Sequence, residues 1–204
     1  MGSKKQSLFN KSKAGRQKRK EQDTEMRRTQ WLIVCEGTKT ERFYFDGLAR
    51  HLKEKGNASL NVRAVGTGRS TKGVVKSVED YFDLVSKEYG ASRIPYLPEK
   101  IIIVFDKDDF TANDFNSAIH MAESRYPGCT VAWSNESFEL WLCLHFEYIQ
   151  TPLHRDAYND KLTAIFREKG IFKPHENFDK NGKNDEALFE QIKKCGGKMQ
   201  NAIR

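Results

Sequence analysis

Short, continuously apolar runs alternate along the chain with longer segments in which apolar residues recur every three or four positions. Four runs have the length of strands buried on both faces, at residues 31–35, 60–65, 101–105 and 129–133. Amphipathic segments between them predict helices at about 40–55 and 72–89, and a third helix that carries Phe115, Ala118, Ile119 and Ala122 on its inner face. This alternation of strand and helix predicts an open, mainly parallel sheet with helices on both faces, which is a three-layer, Rossmann-like α/β fold.

After the fourth predicted strand the pattern becomes helical. Residues 138–146, FELWLCLHF, are apolar almost all round and predict a deeply packed helix, and residues 153–168 again look helical. A last helix is predicted over about 185–203, although the Gly196-Gly197 pair weakens it. We therefore expect a domain at 30–150 and a helical C-terminal extension at 151–204.

The charge of the chain is concentrated before the first strand. Residues 1–29 contain ten Lys and Arg and three Asp and Glu, an excess of seven that equals the net charge of the whole chain, +7. A flexible basic arm of this kind binds polyanions such as nucleic acid through counterion release, although basic tails have other uses. It lacks the apolar stretch of a secretory signal.

Other features of the composition indicate a cytoplasmic protein. No apolar run approaches the roughly 20 residues that span a bilayer, so no membrane association is expected. The four cysteines lack the CxxC spacing of metal or redox sites, which is typical of reduced cysteines in a cytosolic protein.

The third apolar run leads directly into acidic residues, in the sequence IIIVFDKDD at 101–109. Like charges this close repel one another, and burying any of them costs several kcal/mol unless something compensates. The first apolar run also ends in an acid, Glu36. Ligands of parallel sheets gather at the carboxyl ends of the strands where the strand order reverses. Glu36, Asp106 and Asp108 would meet there if the first and third strands are neighbours.

A divalent cation would make this crowding tolerable. Asp106 and Asp108 stand two residues apart, so their side chains point the same way if the chain is still extended there. Three hard oxygen donors on one open face suit Mg²⁺ or Mn²⁺, with water completing the octahedron. Such an ion can hold a phosphodiester and activate a water. Acidic runs after strands also form turns and helix caps, and that interpretation stays open for the same residues.

The motifs that carry these acids resemble those of a known family. EGTKTE at 36–41 and FDKDD at 105–109 resemble the paired motifs of the Toprim fold, a glutamate after the first strand and a DxD after the third. Together with WSNESFELWLCLHF at 133–146, the wider pattern resembles the RloB-like family of bacterial Toprim-related proteins over roughly residues 30–170. The third motif is the most specific, because it is long and unusual in composition.

The resemblance implies a Toprim-like catalytic domain and a Mg²⁺-dependent nuclease of the kind linked to defence against phage. It implies that Asp106 and Asp108 are metal ligands, and that Glu36 is a metal ligand or the general acid/base of phosphoryl transfer. Asp109 would help to position these residues without binding the metal itself. RloB-like proteins are often encoded beside restriction–modification or ATPase partners, so an ATPase partner is implied as well.

Two polar residues lie in the apolar segment at 138–146, where a charged group needs a partner. Glu139 is interpreted as catalytic and His145 as substrate-binding. The structural alternatives are that Glu139 serves the helix N-terminus and that His145 is a core histidine.

Further residues could bind the phosphates of a substrate. Gly37 would let backbone amides approach a phosphate beside the N-terminus of a helix, whose positive end favours anions. Arg69 and Lys72 follow the second strand on the same edge and could bind substrate phosphates, or belong to a solvated turn. The nearby Glu41 is interpreted as charging the first turn of the first helix.

Three functions remain open at this point. The first is a Mg²⁺-dependent (or Mn²⁺-dependent) nuclease that acts on DNA or RNA, tRNA included, in anti-phage defence. The second is a non-catalytic regulatory subunit that binds nucleic acid or a nucleotide within an ATPase-linked defence complex. The third is a doubly wound protein whose acids only form turns. The sequence specifies neither the oligomeric state nor the trigger.

Overall fold

A computed structural model of the chain describes residues 29–57, 59–107, 111–151 and 153–203. Its strands are β1 (Thr29–Cys35), β2 (Leu60–Gly66), β3 (Lys100–Asp106) and β4 (Thr130–Ser134). Its helices are α1 (Thr40–Glu54), α2 (Thr71–Tyr89), α3 (Ala112–Arg125), α4 (Glu139–Leu144), α5 (Arg155–Glu168), α6 (Leu188–Lys194) and α7 (Met199–Ala202). Short 3₁₀ segments lie at Gly90–Ser92, Ile94–Tyr96 and Gly182–Asn184. The predicted basic arm falls, except for Thr29, outside the described residues.

The four strands form one parallel sheet in the order β2-β1-β3-β4. Strands β1 and β3 are neighbours, as the sequence analysis required, and Cys35 pairs with Val104. The connection from β1 to β2 runs toward one edge of the sheet. The chain then returns to β3, on the other side of β1, and the connection from β3 to β4 runs toward the opposite edge. The reversal point therefore lies between β1 and β3, where Glu36 follows β1 and Asp106 ends β3.

Helices cover both faces of the sheet, which confirms the predicted three-layer α/β fold. Because side chains alternate between faces along a strand, Leu32 and Val34 of β1 point one way and Ile33 and Cys35 the other. The first pair packs with Ile103 and with buried residues of α2 and α3: Val74, Val75, Val78, Phe115, Ala118 and Ala122. The second pair packs beneath α1 and the helices that follow β4.

The C-terminal region is helical, as predicted, and contributes to the second of these cores. Its fully buried side chains, Tyr158, Leu162, Phe166, Phe178, Leu188 and Ile192, pack in the same cluster as Ile33, Cys35 and Val104. Full burial of one large apolar side chain stabilises a fold by about 1.5–3 kcal/mol. The region is thus tightly docked onto the sheet, while the division of the chain into domains at residue 150 stays a prediction.

The single helix predicted over 185–203 is wrong, because the segment forms two short helices, α6 and α7. The first ends at Lys194, and Gly196 two residues later has a left-handed φ of +91°. The N–H groups of Gly196 and Gly197 donate to the carbonyls of Lys193 and Ile192 at 3.0 and 2.9 Å, a pattern that closes the C-terminus of a helix. The glycine pair is a stop signal here, not only a weak point. None of the helices in the described ranges combines the length and apolar character that crossing a membrane requires.

Candidate functional site

Glu36 and Asp106 lie together at the reversal point of the sheet. The backbone N–H of Glu36 donates to the carbonyl of Val104 at 3.0 Å, so the chain stays beside β3 for one residue after β1. Burial raises the pKa of the Glu36 carboxyl, while a hydrogen bond from the backbone N–H of Asp106 lowers it. The side chain of Glu36 therefore reaches the end of β3.

Asp106 is the most strongly perturbed acid of this edge. Burial is the largest cause, and with the charges of Glu41 and Glu139 it raises the pKa of Asp106 to about 8. A hydrogen bond from the backbone N–H of Phe138 lowers the pKa of Asp106, whereas the charge of Glu36 raises it further. The charges of three further acids thus act on Asp106, and Glu36, Glu41, Asp106 and Glu139 are called the carboxylate cluster below.

Glu41 was not predicted as a site residue. It lies in the first turn of α1 with only 6% of its surface exposed, and its Oε1 accepts a hydrogen bond from the backbone N–H of Gly37 at 2.9 Å. Burial raises its pKa. The interpretation as a residue of the first turn accounts for its position in the helix, but its charge also raises the pKa of Asp106. Its signal in the sequence was its spacing of five residues from Glu36, in EGTKTE.

Gly37 is the residue that makes room for Glu41. A side chain at this position would overlap the Glu41 carboxyl group. The N–H of Gly37 is already bound to Glu41, so the predicted approach of this amide to a phosphate would require Glu41 to move. The glycine therefore shapes the carboxylate cluster, and its role in phosphate binding stays a prediction.

Replacing Gly37 with Ala should lower the free energy of unfolding by about 1.5–3 kcal/mol, the usual worth of a hydrogen bond to a charged group. The added methyl group would displace the Glu41 carboxyl group from the Gly37 N–H. Chemical denaturation of the parent, Gly37→Ala, Glu41→Ala and the double variant measures this coupling. In the Glu41→Ala background the glycine substitution should cost much less. An equal cost in both backgrounds would show that the Gly37–Glu41 contact is not responsible.

Glu139 is the first residue of α4, a helix shorter than the predicted 138–146. Its carboxyl is buried and pairs with the ammonium group of Lys183, with 3.2 Å between Oε1 and Nζ. It also raises the pKa of both Asp106 and Glu41 through its charge. Glu139 of the apolar segment therefore belongs to the carboxylate cluster, and Lys183 of the C-terminal region is its ion-pair partner.

The carboxylate cluster has the chemistry of a divalent-cation site. Its donors are hard oxygen atoms, and Oε2 of Glu36 is buried without a hydrogen-bond partner among the described residues. A buried carboxylate oxygen that lacks a partner is costly unless a cation or water contacts it. In residues 29–107 and 111–203, apart from the undescribed positions 58 and 152, no group of three or more His, Cys, Asp or Glu side chains is arranged so that it could hold a metal ion. Asp108 and Asp109, from the same acidic motif, lie outside the described residues.

The loop after β2 braces the carboxyl end of β1. The N–H and hydroxyl groups of Thr67 both donate to the Cys35 carbonyl at 3.0 Å, and the N–H of Gly68 donates to the Glu36 carbonyl at 2.8 Å. A side chain on Gly66 would overlap the backbone of Gly37. This close packing of two backbones fixes the turn in which Glu36 sits.

Arg69 and Lys72 follow this loop but are engaged with acids of neighbouring helices. Arg69 Nη1 contacts Asp80 Oδ2 at 2.5 Å, and Lys72 Nζ contacts Asp114 Oδ1 at 2.9 Å. Both pairs are exposed, and exposed ion pairs contribute about 0–1 kcal/mol. The two cations could therefore exchange these partners for phosphates at little cost, and their predicted role in substrate binding stays open.

His145 lies in the core, only 2% exposed. Its Nδ1 donates to the Trp141 carbonyl at 2.9 Å, so its Nε2 accepts from the Tyr44 hydroxyl, also at 2.9 Å. Burial lowers the pKa of His145, which favours the neutral ring. Both nitrogens are used within the protein, and this arrangement favours the core interpretation over the predicted contact with substrate.

Comparison with known proteins decides the family. A family model described as RloB-like protein matches residues 31–204. The chain belongs to the RloB-like family. Searches of the curated proteins and of the solved structures gave no significant match.

The RloB-like match extends beyond the three motifs that suggested the family. It includes the C-terminal helices, whose side chains complete one of the two cores and supply Lys183 to Glu139. The fold and the carboxylate cluster described above are therefore features of the part of this RloB-like protein that matches the family.

Proposed function

We propose that this RloB-like protein is a metal-dependent nuclease that hydrolyses phosphodiester bonds of DNA or RNA. The observation that carries the proposal is the carboxylate cluster at the reversal point of the sheet, where Asp106 is crowded by three further acids. Structural turns and helix caps do not require four acids to share one partly buried space. A bound cation relieves their repulsion, since its charge compensates theirs.

In this proposal Glu36 and Asp106 would hold Mg²⁺ or Mn²⁺, with Asp108 from the undescribed part of the motif. When bound, such an ion polarises a phosphodiester and lowers the pKa of a bound water. With no cation bound, Asp106 retains its proton near neutral pH because its pKa is about 8. Cation binding would then release that proton.

Other groups of the chain would bind and orient the substrate. Helix α1 begins at Thr40, and its N-terminus adds positive potential beside Glu36. Glu36 has a raised pKa, which suits a group that exchanges protons during phosphoryl transfer. Arg69 and Lys72 would contact phosphates farther along the substrate, on the β2 side of the sheet edge. A defence role and an ATPase partner remain part of the proposal through the family resemblance.

Cleavage of nucleic acids with and without metal tests the proposal. We expect the purified protein to cut at least one of single-stranded DNA, duplex DNA, tRNA or other RNA in Mg²⁺ or Mn²⁺, and to cut none of them in EDTA. Labelled substrates resolved on denaturing gels measure this. An Asp106→Asn preparation made in parallel controls for contaminating nucleases.

Two results would contradict the proposal. Binding of nucleic acid without cleavage of any substrate would favour a regulatory subunit. Failure to take up Mn²⁺ in a calorimetric titration would favour a fold whose acids are only structural.

A further inference from the structure

Lys183 comes from the C-terminal region, yet its ammonium group reaches the carboxylate cluster. It lies in the 3₁₀ segment Gly182–Asn184, and its Nζ is 3.2 Å from Glu139 Oε1 and 3.0 Å from Asp179 Oδ1. The side chain of Glu139 is 7% exposed and that of Lys183 is 25% exposed. An ion pair this sheltered is screened by salt much less than a surface pair. The positive charge also lowers the pKa of Glu41, so its influence extends to a second member of the cluster.

The backbone around Lys183 is fastened to the start of α1. Its carbonyl accepts a hydrogen bond from the hydroxyl of Thr40 at 3.5 Å, and the neighbouring Asn184 Oδ1 accepts one from Lys39 Nζ at 2.7 Å. The backbone N–H of Lys183 donates to the carbonyl of Phe178 at 3.0 Å. Phe178 is fully buried in the core shared with β1 and β3. The position of the Lys183 ammonium group is therefore fixed by hydrogen bonds to α1 and by the packing of Phe178 in the core.

Local packing explains why the chain can turn at this point. A side chain on Gly182 would overlap the ring of Phe178. The glycine lets the backbone pass against the ring and places Lys183 beside α4. Asp179, four residues earlier, contacts the same ammonium group that pairs with Glu139. The lysine thus has one exposed acidic partner and one buried partner in the cluster.

We propose that Lys183 is a positioning residue of this site, which holds the Glu139 carboxyl in the carboxylate cluster and offsets one of its negative charges. This inference rests on the nuclease function proposed above. It makes the C-terminal region part of the working site, since that region supplies the ammonium group that pairs with Glu139. Lys183 acts through Glu139 and need not contact the substrate.

Replacing Lys183 with Met tests the inference through two readouts that should move in opposite directions. Loss of the positive charge leaves a more negative cluster, so Mn²⁺ should bind about 3–10-fold more tightly in calorimetry. Loss of the contact with Glu139 should lower kcat about tenfold or more, with KM changed by less than about threefold. Lys183→Arg, which keeps the charge, should restore most of both properties.

Lys161→Met is the matched control, because Lys161 forms an exposed pair with Glu147 at 2.7 Å on α5. It should leave kcat and Mn²⁺ affinity unchanged. If Lys183→Met melts at a lower temperature than the parent, Lys183→Gln replaces it, since glutamine keeps hydrogen-bond donors without the charge.

The outcomes separate this inference from the proposed function. A parent that cleaves together with a Lys183→Met or Lys183→Gln variant of unchanged kcat overturns the inference and leaves the nuclease proposal standing. Weaker Mn²⁺ binding in the variant also overturns it, because a purely structural lysine predicts that direction. A parent that neither cleaves nor binds Mn²⁺ removes the proposed function, and the inference with it.

Discussion

Replacement of Asp106 with Asn should reduce metal-dependent cleavage by at least about 1,000-fold. The substitution keeps the size of the side chain but removes the carboxylate at the centre of the cluster. A metal ion contributes several kcal/mol to transition-state stabilisation, and each 1.36 kcal/mol is worth a factor of ten in rate. Initial rates of substrate cleavage at saturating Mg²⁺ measure the effect. Calorimetric Mn²⁺ titration of the same variant should show loss of binding.

The matched control is Asp156→Asn, which changes the same chemical group on the exposed start of α5. It should retain parental cleavage and parental Mn²⁺ binding. If Asp106→Asn cleaved as fast as Asp156→Asn, the carboxylate cluster would have no part in the reaction. A fold defect is a separate outcome, which circular dichroism and thermal melting of both variants identify.

Much of the fold follows from the period of the apolar residues. The four apolar runs are strands and the amphipathic segments between them are helices, with ends displaced by only a residue or two from those predicted. A continuous apolar run and a period of about 3.6 are local properties, so the sequence displays them directly. The neighbouring placement of β1 and β3 was a condition in the sequence analysis, and the structure meets it.

The carboxylate cluster was only half predictable for a related reason. Glu36 follows and Asp106 ends a strand that the pattern identifies, so the two acids could be expected to meet if β1 and β3 were neighbours. Glu41 looked like an ordinary acid in a first helical turn, and the structure adds that it is buried and that its charge raises the pKa of Asp106. Lys183 gave no signal at all, since its contact with Glu139 joins residues more than 40 positions apart.

His145 illustrates an ambiguity that the sequence could not settle. A lone histidine in an apolar helix is compatible with substrate binding and with a core hydrogen bond. One of its partners, the Tyr44 hydroxyl, is distant in the sequence. The other, the Trp141 carbonyl, is a backbone group that any residue would supply. Only the packing of α1 against α4 brings the hydroxyl within 2.9 Å of the ring.

Stability without metal should fall as the pH rises from about 7 to about 8.5, which is the reverse of the usual behaviour of an ion-paired acid. Burial and the neighbouring carboxylates raise the pKa of Asp106 from 3.8 to about 8. The folded chain therefore holds a proton that the unfolded chain has already lost. This stabilisation is complete below the unfolded pKa and is lost as the pH rises through the folded one. The raised pKa values of Glu36 and Glu41 act in the same direction.

The expected loss over this window is about 1–2 kcal/mol, or roughly 2–6 °C in melting temperature in EDTA. The window lies above the ordinary pKa of histidine, so His145, whose pKa is lowered, stays neutral throughout. Mg²⁺ at about 100 times its Kd should add about 2.7 kcal/mol, or roughly 5–10 °C.

The variant that separates these effects is again Asp106→Asn. It should flatten the decline with pH in EDTA and lose the increase with Mg²⁺, whereas Asp156→Asn should keep both. Melting temperatures measured by differential scanning calorimetry at several pH values, with EDTA or Mg²⁺, provide the comparison. Stability that rises with pH in EDTA would mean that the acids at the ends of β1 and β3 are already compensated within the protein. In that case the repulsion from which we infer a bound cation would be absent.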